Sequence, residues 1–243
     1  MHNQVDHHKM VVGSFIKNKL EEYRYFLEKL INICLLVENN FQNGINPVNT
    51  SNENINYTFN SLTNTFQSLK DSLETATGKK IAWSELYEIE HGRFIKESRN
   101  AITHDGMQII NAYTDGKYYI ANDIERLDAK GNFIKIEAPQ TDILKLSLEF
   151  TIGFMNKIQS LIIDYGESIP KSSHPVKMQD IEKYLTNPVV PKFVRELIKE
   201  NKDEIEKQLS SVRFDPVQDI MNESSKITDL CNVHIDIMTP ADR

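Results

Sequence analysis

Apolar residues in the first part of the chain recur at alternating spacings of four and three. The set is Ile16, Leu20, Tyr23, Leu27, Leu30, Cys34 and Val37. Because strand side chains repeat every two residues and helix side chains every 3.6, this spacing predicts one long helix with a single buried stripe. Packing inside a helical bundle accounts for the stripe, and a coiled coil is the alternative.

Three more helices are predicted by the same reasoning. One runs from about Tyr57 to Thr77, after an Asn-rich segment at 38–56 that favours a loop, and the next runs from about Ile81 to Thr103. The last begins after a cap at Thr141 or Asp142 and ends near Tyr165. Its apolar residues occupy most faces, so we expect it at the centre of the bundle.

Residues 107–136 change to short alternating runs separated by T-D-G and D-A-K-G-N turns. They predict two or three short strands, which we interpret as a small protruding hairpin without a catalytic group. A linker is expected around 166–175, followed by helices near 178–185, 191–209 and 216–233.

The predicted fold class is therefore mainly α. A helical bundle domain is expected over residues 1–170, with a β-hairpin insertion at about 107–136. A boundary near Pro170 separates it from a C-terminal helical subdomain over 171–243.

Composition narrows the classes of function. With 35 acidic and 28 basic residues the net charge is −7, which argues against broad affinity for nucleic acid, so an RNA-binding function would need a local basic cleft. No apolar run reaches membrane-spanning length and no secretion signal precedes the first helix, so a cytoplasmic location is expected.

The two cysteines, Cys34 and Cys231, fall in apolar helical patterns and predict buried thiols rather than a disulfide or a zinc site. No metal and no cofactor are predicted.

The sequence R-N-A-I-T-H at residues 99–104 is the sharpest chemical feature of the chain. On a regular helix the positions of Arg99 and His104 lie about 140° apart around the helix axis. For the two side chains to meet, Arg99 has to use its long side chain or the helix has to end. Asn100 and His104 share one face because they are four residues apart. The alternatives are a surface salt bridge for Arg99 and, for His104, a helix terminus facing the last carbonyls.

This motif resembles that of the HEPN superfamily, whose nuclease members carry R-x-x-x-x-H at the end of a bundle helix, often with a polar residue after the Arg. The resemblance covers roughly residues 10–165 and includes the order of the helices around the motif. It implies an antiparallel helical bundle, a homodimer in which both motifs face one cleft, and RNA cleavage without a metal. Gly106 stands where some members carry a Tyr that an antitoxin modifies, which puts that regulation in doubt.

The resemblance also implies roles for the motif residues. Two His104 side chains would take the proton from the ribose 2′-hydroxyl and protonate the leaving 5′-oxygen, giving a 2′,3′-cyclic phosphate. Arg99 would hold the scissile phosphate. Asn100 would position His104 or the ribose, or would simply cap the helix end. Glu97 or Glu90 is a candidate for orienting the motif, with a solvated face as the alternative.

The function predicted from the sequence is a metal-independent endoribonuclease acting as a toxin or antiviral defence effector, with an antitoxin or regulatory protein as a possible partner. One alternative is a non-catalytic HEPN-like dimer that binds RNA, nucleotide or a partner protein. Another is an interaction module that uses the edge of the sheet at 107–136.

Overall fold

A computed structural model of the protein describes residues 2–45, 50–128, 130–170, 177–211 and 215–238, and these are mainly helical. The helices are α1 (His2–Gln42), α2 (Thr50–Thr77), α3 (Trp83–Tyr87), α4 (Gly92–Asp105), α5 (Ile143–Tyr165), α6 (Met178–Leu185), α7 (Lys192–Glu200), α8 (Lys202–Ser211) and α9 (Pro216–Met238). The strands are β1 (Ala112–Thr114), β2 (Lys117–Tyr119), β3 (Ile124–Leu127) and β4 (Phe133–Ile136). No helix in the described ranges is both long enough and apolar enough to cross a membrane.

Helices α1 and α2 pack along their length through the predicted stripes. Every residue of the α1 stripe is buried, and so are the apolar residues that α2 turns towards it. The predicted loop at 38–56 is too long, because α1 continues to Gln42 and α2 begins at Thr50. Ile55 and Phe59 are fully buried, and their packing overrides the weak helix propensity of the surrounding Asn residues. Residues 46–49 of that loop lie outside the described ranges.

The predicted third helix is wrong as one continuous element, because a turn at residues 88–91 divides it into α3 and α4. His91 has a φ of 61° in this turn. A Cβ on Gly92 would lie 1.9 Å from the carbonyl oxygen of Leu86, so only glycine fits where the chain re-enters a helix. The motif therefore lies in a separate helix of 14 residues.

The predicted sheet consists of two antiparallel hairpins rather than one. Strands β1 and β2 are joined by Asp115 and Gly116, whose φ values of 50° and 78° suit a tight hairpin turn. Strands β3 and β4 pair with Arg126 opposite Ile134. The β3–β4 hairpin contacts α4, which places it beside the motif.

Helix α5 begins as predicted, with Asp142 accepting hydrogen bonds from the backbone N–H groups of Leu144 and Lys145. Its central position is confirmed by the rings of Phe150 and Phe154, which pack on Phe66 of α2 with centroids 5.1 and 4.7 Å away. The free Cys34 and Cys231 are both buried, as predicted. Burial raises the pKa of the Cys231 thiol to about 12, so this thiol is unreactive near neutral pH.

The last helix returns to the bundle. Helix α9 packs on α5 and α1, and its residues Ile220, Ile227 and Cys231 are fully buried in the same core. The domain boundary near Pro170 stays a prediction. If the chain is divided there, α9 still belongs to the bundle domain, because it packs in the same core. Residues 191–209 form two helices, α7 and α8, rather than the one that was predicted; α7 packs on α8, and α8 packs on α6.

An ion pair joins α9 to α1. The carboxylate of Glu223, whose side chain is 1% exposed, accepts hydrogen bonds from Arg24 Nε at 2.7 Å and from Lys226 Nζ at 3.0 Å. Burial alone would raise the pKa of this carboxyl, but the hydrogen bonds from Lys226 and Arg24 lower it below its ordinary value. A lowered pKa means that the pair contributes stability above the pKa of the unfolded chain and that this contribution is lost as the pH falls.

We expect Glu223→Gln to lower the free energy of unfolding by about 1–3 kcal/mol at pH 7, because charge-assisted hydrogen bonds at a buried carboxylate are lost. The difference from wild type should shrink as the pH falls below about 4.3. Urea unfolding followed by circular dichroism at pH 7 and pH 4 measures both. Glu182→Gln is the control, since its pair with Lys202 is exposed. A difference that grows towards acid pH would contradict the expectation.

Candidate active site

The last two turns of α4 carry all three predicted site residues. The inner face of this helix is held by the buried Phe94, Ser98 and Ala101. The helix ends where Gly106 adopts a φ of 68° and donates its backbone N–H to the carbonyl of Ala101. His104 is consequently exposed in the final turn.

Arg99 and His104 meet in the structure. Nη1 of Arg99 lies 3.4 Å from Nε2 of His104, so the long side chain of Arg99 spans the separation around the helix. A guanidinium can only donate, and this contact is therefore a hydrogen bond when Nε2 of a neutral His104 accepts it, with the ring proton on Nδ1. The distance is long for such a bond, which leaves both groups available to a ligand.

Asn100 links this pair to the rest of the helix. Its Oδ1 accepts from Arg99 Nη1 at 3.3 Å, and its Nδ2 donates to Glu97 Oε2 at 3.3 Å. The side chain of Asn100 is thus bonded to Arg99 and Glu97, and Gly106 rather than Asn100 forms the helix end.

Of the two acidic candidates, the structure places Glu97 beside the motif. Glu97 is 4% exposed and pairs with Lys96, whereas the side chain of Glu90 is 71% exposed and lies near His91. Sequence reasoning missed a further partner of Glu97. Nη1 of Arg126, from β3, lies 3.7 Å from its carboxylate.

Arg126 also reaches the residue that follows His104. Its Nε donates to Asp105 Oδ2 at 2.6 Å. This hydrogen bond lowers the pKa of the Asp105 carboxyl and raises the pKa of the Arg126 guanidinium. No pattern near residues 99–104 could have found Arg126, because it lies 21 residues beyond Asp105 in a strand.

The guanidinium of Arg99 has no carboxylate within ion-pair distance in the described part of the chain, and no described residue bonds to its buried Nε. The alternative of a surface salt bridge therefore has no partner among these residues. A guanidinium whose charge is not offset is suited to binding a phosphate.

The basic residues of 79–104 do not form one cleft. Lys79 lies over the ring of Tyr165, with its Nζ 5.4 Å from the centroid, and Lys96 pairs with Glu97 beside Trp83. Arg93 lines a separate surface pocket with Lys135. Positive charge at the motif is thus concentrated on Arg99, with Lys96 and Arg126 already paired.

On the side of α2, the exposed Thr103 donates to Asn64 Oδ1 at 3.2 Å, and Asn64 Nδ2 donates to Asn60. A polar surface of amides and hydroxyls therefore adjoins His104. In the ranges that the structure covers, no group of three or more His, Cys, Asp or Glu side chains is arranged to hold a metal ion.

No protein family, curated protein or solved structure matches this chain. The likeness to the HEPN superfamily therefore depends on the motif at 99–104 and on the order of the helices around it.

Proposed function

We propose that this protein is a metal-independent endoribonuclease of the HEPN type. The observation that supports the proposal best is the contact between Arg99 Nη1 and His104 Nε2 at 3.4 Å, at an exposed helix end. It brings a phosphate-binding cation and a proton-transfer group within reach of one ligand atom. Among the residues that the structure describes, no carboxylate lies within ion-pair distance of Arg99, which adds to this support.

The reaction needs only groups of the chain and the RNA. The ribose 2′-oxygen attacks the adjacent phosphorus while the bond from phosphorus to the 5′-oxygen breaks. One imidazole accepts the 2′-hydroxyl proton and a second imidazole donates a proton to the leaving oxygen, so protons balance without water. The products are a 2′,3′-cyclic phosphate and a 5′-hydroxyl. Arg99 donates hydrogen bonds to the phosphate oxygens as their negative charge grows.

Two imidazoles at one phosphate imply a homodimer, because each chain carries one His in the motif. The exposure of His104 at the end of α4 leaves it accessible to the same surface of a second copy. An enzyme of this kind acts on cytoplasmic RNA and fits a toxin or antiviral defence effector, with an antitoxin or regulatory protein covering the exposed site.

The nature of the products tests the proposal. We expect purified protein to cut a short RNA in excess EDTA and to leave a 2′,3′-cyclic phosphate, detected by mass spectrometry. The same oligonucleotide with a 2′-deoxyribose at the cleaved position should remain intact there, because it lacks the attacking oxygen. Cleavage at the 2′-deoxy position, or cleavage that needs a divalent cation, would contradict the mechanism.

Two observations favour the alternative of a non-catalytic HEPN-like dimer. The net charge is −7, and the basic residues of 79–104 have separate neighbours instead of a shared cleft. Such a protein could bind RNA, nucleotide or a partner protein through the polar surface beside His104. Binding of the same RNA without any cleavage would favour this alternative.

Asn100→Ala should lower kcat by about tenfold, within the loss that a slight misplacement of a reacting group causes. The substitution removes the acceptor for Arg99 Nη1 and the donor to Glu97. The thermal midpoint should change little, since Asn100 is only half-buried. Asn222→Ala, at an exposed position of α9, is the matched control. Wild-type turnover in Asn100→Ala would refute the role of this amide.

A further inference from the structure

We propose that Arg126 is a positioning residue for the Arg99–His104 site, holding the end of α4 from the β3–β4 hairpin through Glu97 and Asp105. The expected effect of Arg126 on cleavage rests on the proposed ribonuclease function. Its expected effect on the position of His104 follows from the contacts of Arg126 alone. It gives the hairpin a task in the site, in place of the protruding element that the sequence predicts.

The two carboxylates lie on either side of the motif. Glu97 precedes Arg99 by two residues and Asp105 follows His104 directly. One guanidinium reaches both, with Nε 2.6 Å from Asp105 Oδ2 and Nη1 3.7 Å from Glu97 Oε2. The planar fork of an arginine suits such a double contact, whereas a lysine offers a single charged point.

Burial limits the positions that the side chains in this contact can take. The side chains of Arg126 and Glu97 are only 8% and 5% exposed, so both are held by surrounding atoms. Glu97 also pairs with Lys96, so Arg126 is its second cation, and the two contacts together limit the positions that the buried Glu97 carboxylate can take. The hairpin is anchored to the bundle as well, through the buried Ile124 and Ile136.

Asp105 shows why the end of α4 needs a cation from outside the helix. A carboxylate in the last turn faces the negative end of the helix dipole, where acidic residues are unfavourable. Arg126 supplies the compensating charge. It thereby stabilises the turn that carries His104, because Asp105 and His104 are adjacent.

On the other side, a chain of contacts leads from Arg126 to the imidazole. Glu97 accepts from Asn100, Asn100 accepts from Arg99, and Arg99 meets His104. These three distances are 3.3, 3.3 and 3.4 Å, each long for a hydrogen bond. We therefore expect a displacement of Glu97 to change the position of Arg99 relative to His104.

The test compares Arg126→Gln, Arg126→Lys and Asp105→Asn with the control Lys135→Gln. Lys135 lies on the same hairpin, but it pairs with Asp123 and Glu125 and is opposite Glu125 in the strand register. Two properties are measured for each protein: kcat and KM for RNA cleavage in EDTA, and the NMR signal of the His104 ring, assigned by its loss in His104→Gln. Circular dichroism verifies folding.

We expect Arg126→Gln to lower kcat by about tenfold with little change in KM, within the roughly hundredfold that a displacement of 1 Å can cost. The His104 ring signal should shift in the same variant. Arg126→Lys should recover part of both properties, since it satisfies one carboxylate, and Lys135→Gln should resemble wild type. Should Arg126→Gln fail to fold, Arg126→Lys and the exposed Asp105→Asn carry the test, each with a shifted ring signal and a reduced kcat.

Folded variants of Arg126 and Asp105 with wild-type kcat and an unchanged His104 ring signal would overturn the proposal. So would an equal effect of Lys135→Gln, which would mean that the hairpin acts without Arg126. If wild-type protein cuts no RNA, the ribonuclease proposal fails by itself, and the ring signal alone decides whether Arg126 positions His104.

Discussion

Replacing either Arg99 or His104 by Ala should lower RNA cleavage in excess EDTA by at least about a hundredfold, the lower range for losing a group that transfers a proton in the transition state. In the proposed mechanism, His104→Ala removes the imidazole that exchanges protons with the 2′-hydroxyl or the 5′-oxygen. Arg99→Ala removes the guanidinium that lies 3.4 Å from the His104 ring, and with it the proposed hydrogen bonds to the phosphate. Initial rates on a labelled RNA measure both effects.

Each substitution has a control in which the same type of residue is replaced by Ala at a position away from the Arg99–His104 contact. Arg93→Ala changes an exposed Arg in the first turn of the same helix, and His7→Ala changes an exposed His of α1. Both should cut RNA at the wild-type rate. Gel filtration has to give the same mass for all the proteins, because a lost dimer would also lose activity. If folded, dimeric Arg99→Ala and His104→Ala proteins cut as wild type does, the motif is not the active site.

Phe66→Ala should lower the free energy of unfolding by about 3–5 kcal/mol, the usual cost of deleting a buried ring and leaving a cavity. Phe66 is 1% exposed and packs edge-on against Phe150 and Phe154 of α5, with Trp83 of α3 on another side. One ring thus joins α2, α5 and α3, the short helix that precedes α4. Urea unfolding followed by circular dichroism measures the change.

Phe133→Ala makes the same substitution on a ring that is 65% exposed in β4. This control should lose little stability, because solvent already surrounds most of the side chain. A loss below about 1 kcal/mol for Phe66→Ala would contradict the described core, since it would require the surrounding helices to close the cavity. RNA cleavage by the folded fraction of Phe66→Ala tests separately whether the ring also supports α4.

Much of the helical core could be predicted from the sequence. The stripe from Ile16 to Val37 and the apolar faces around Phe66 are buried as their spacing indicates. The cap at Asp142 and the end of α4 at Gly106 were predictable as well, because they depend on neighbouring residues only. The contact between Arg99 and His104 was also predictable, because it depends on helix geometry and on side-chain length.

Other features depend on distant parts of the chain, and the sequence analysis either missed them or predicted them wrongly. The helix predicted over 81–103 is interrupted by a turn at 88–91, after which Gly92 lies so close to the carbonyl of Leu86 that a side chain would not fit. The start of α2 moves to Thr50, because Ile55 packs in the core. Helix α9 joins the bundle although three helices, α6 to α8, lie between it and α5 in the sequence; residues 171–176 of the predicted linker lie outside the described ranges.

The sequence by itself determined that the chain is mainly helical, which faces α1 and α2 bury, and that Arg99, Asn100 and His104 share one helix end, because all of this follows from periodicity and local capping. Only the tertiary structure decided that Arg126 joins Glu97 and Asp105 around that end. The physical reason is that an ion pair between distant residues depends on where the intervening hairpin folds back, and no local pattern encodes that position.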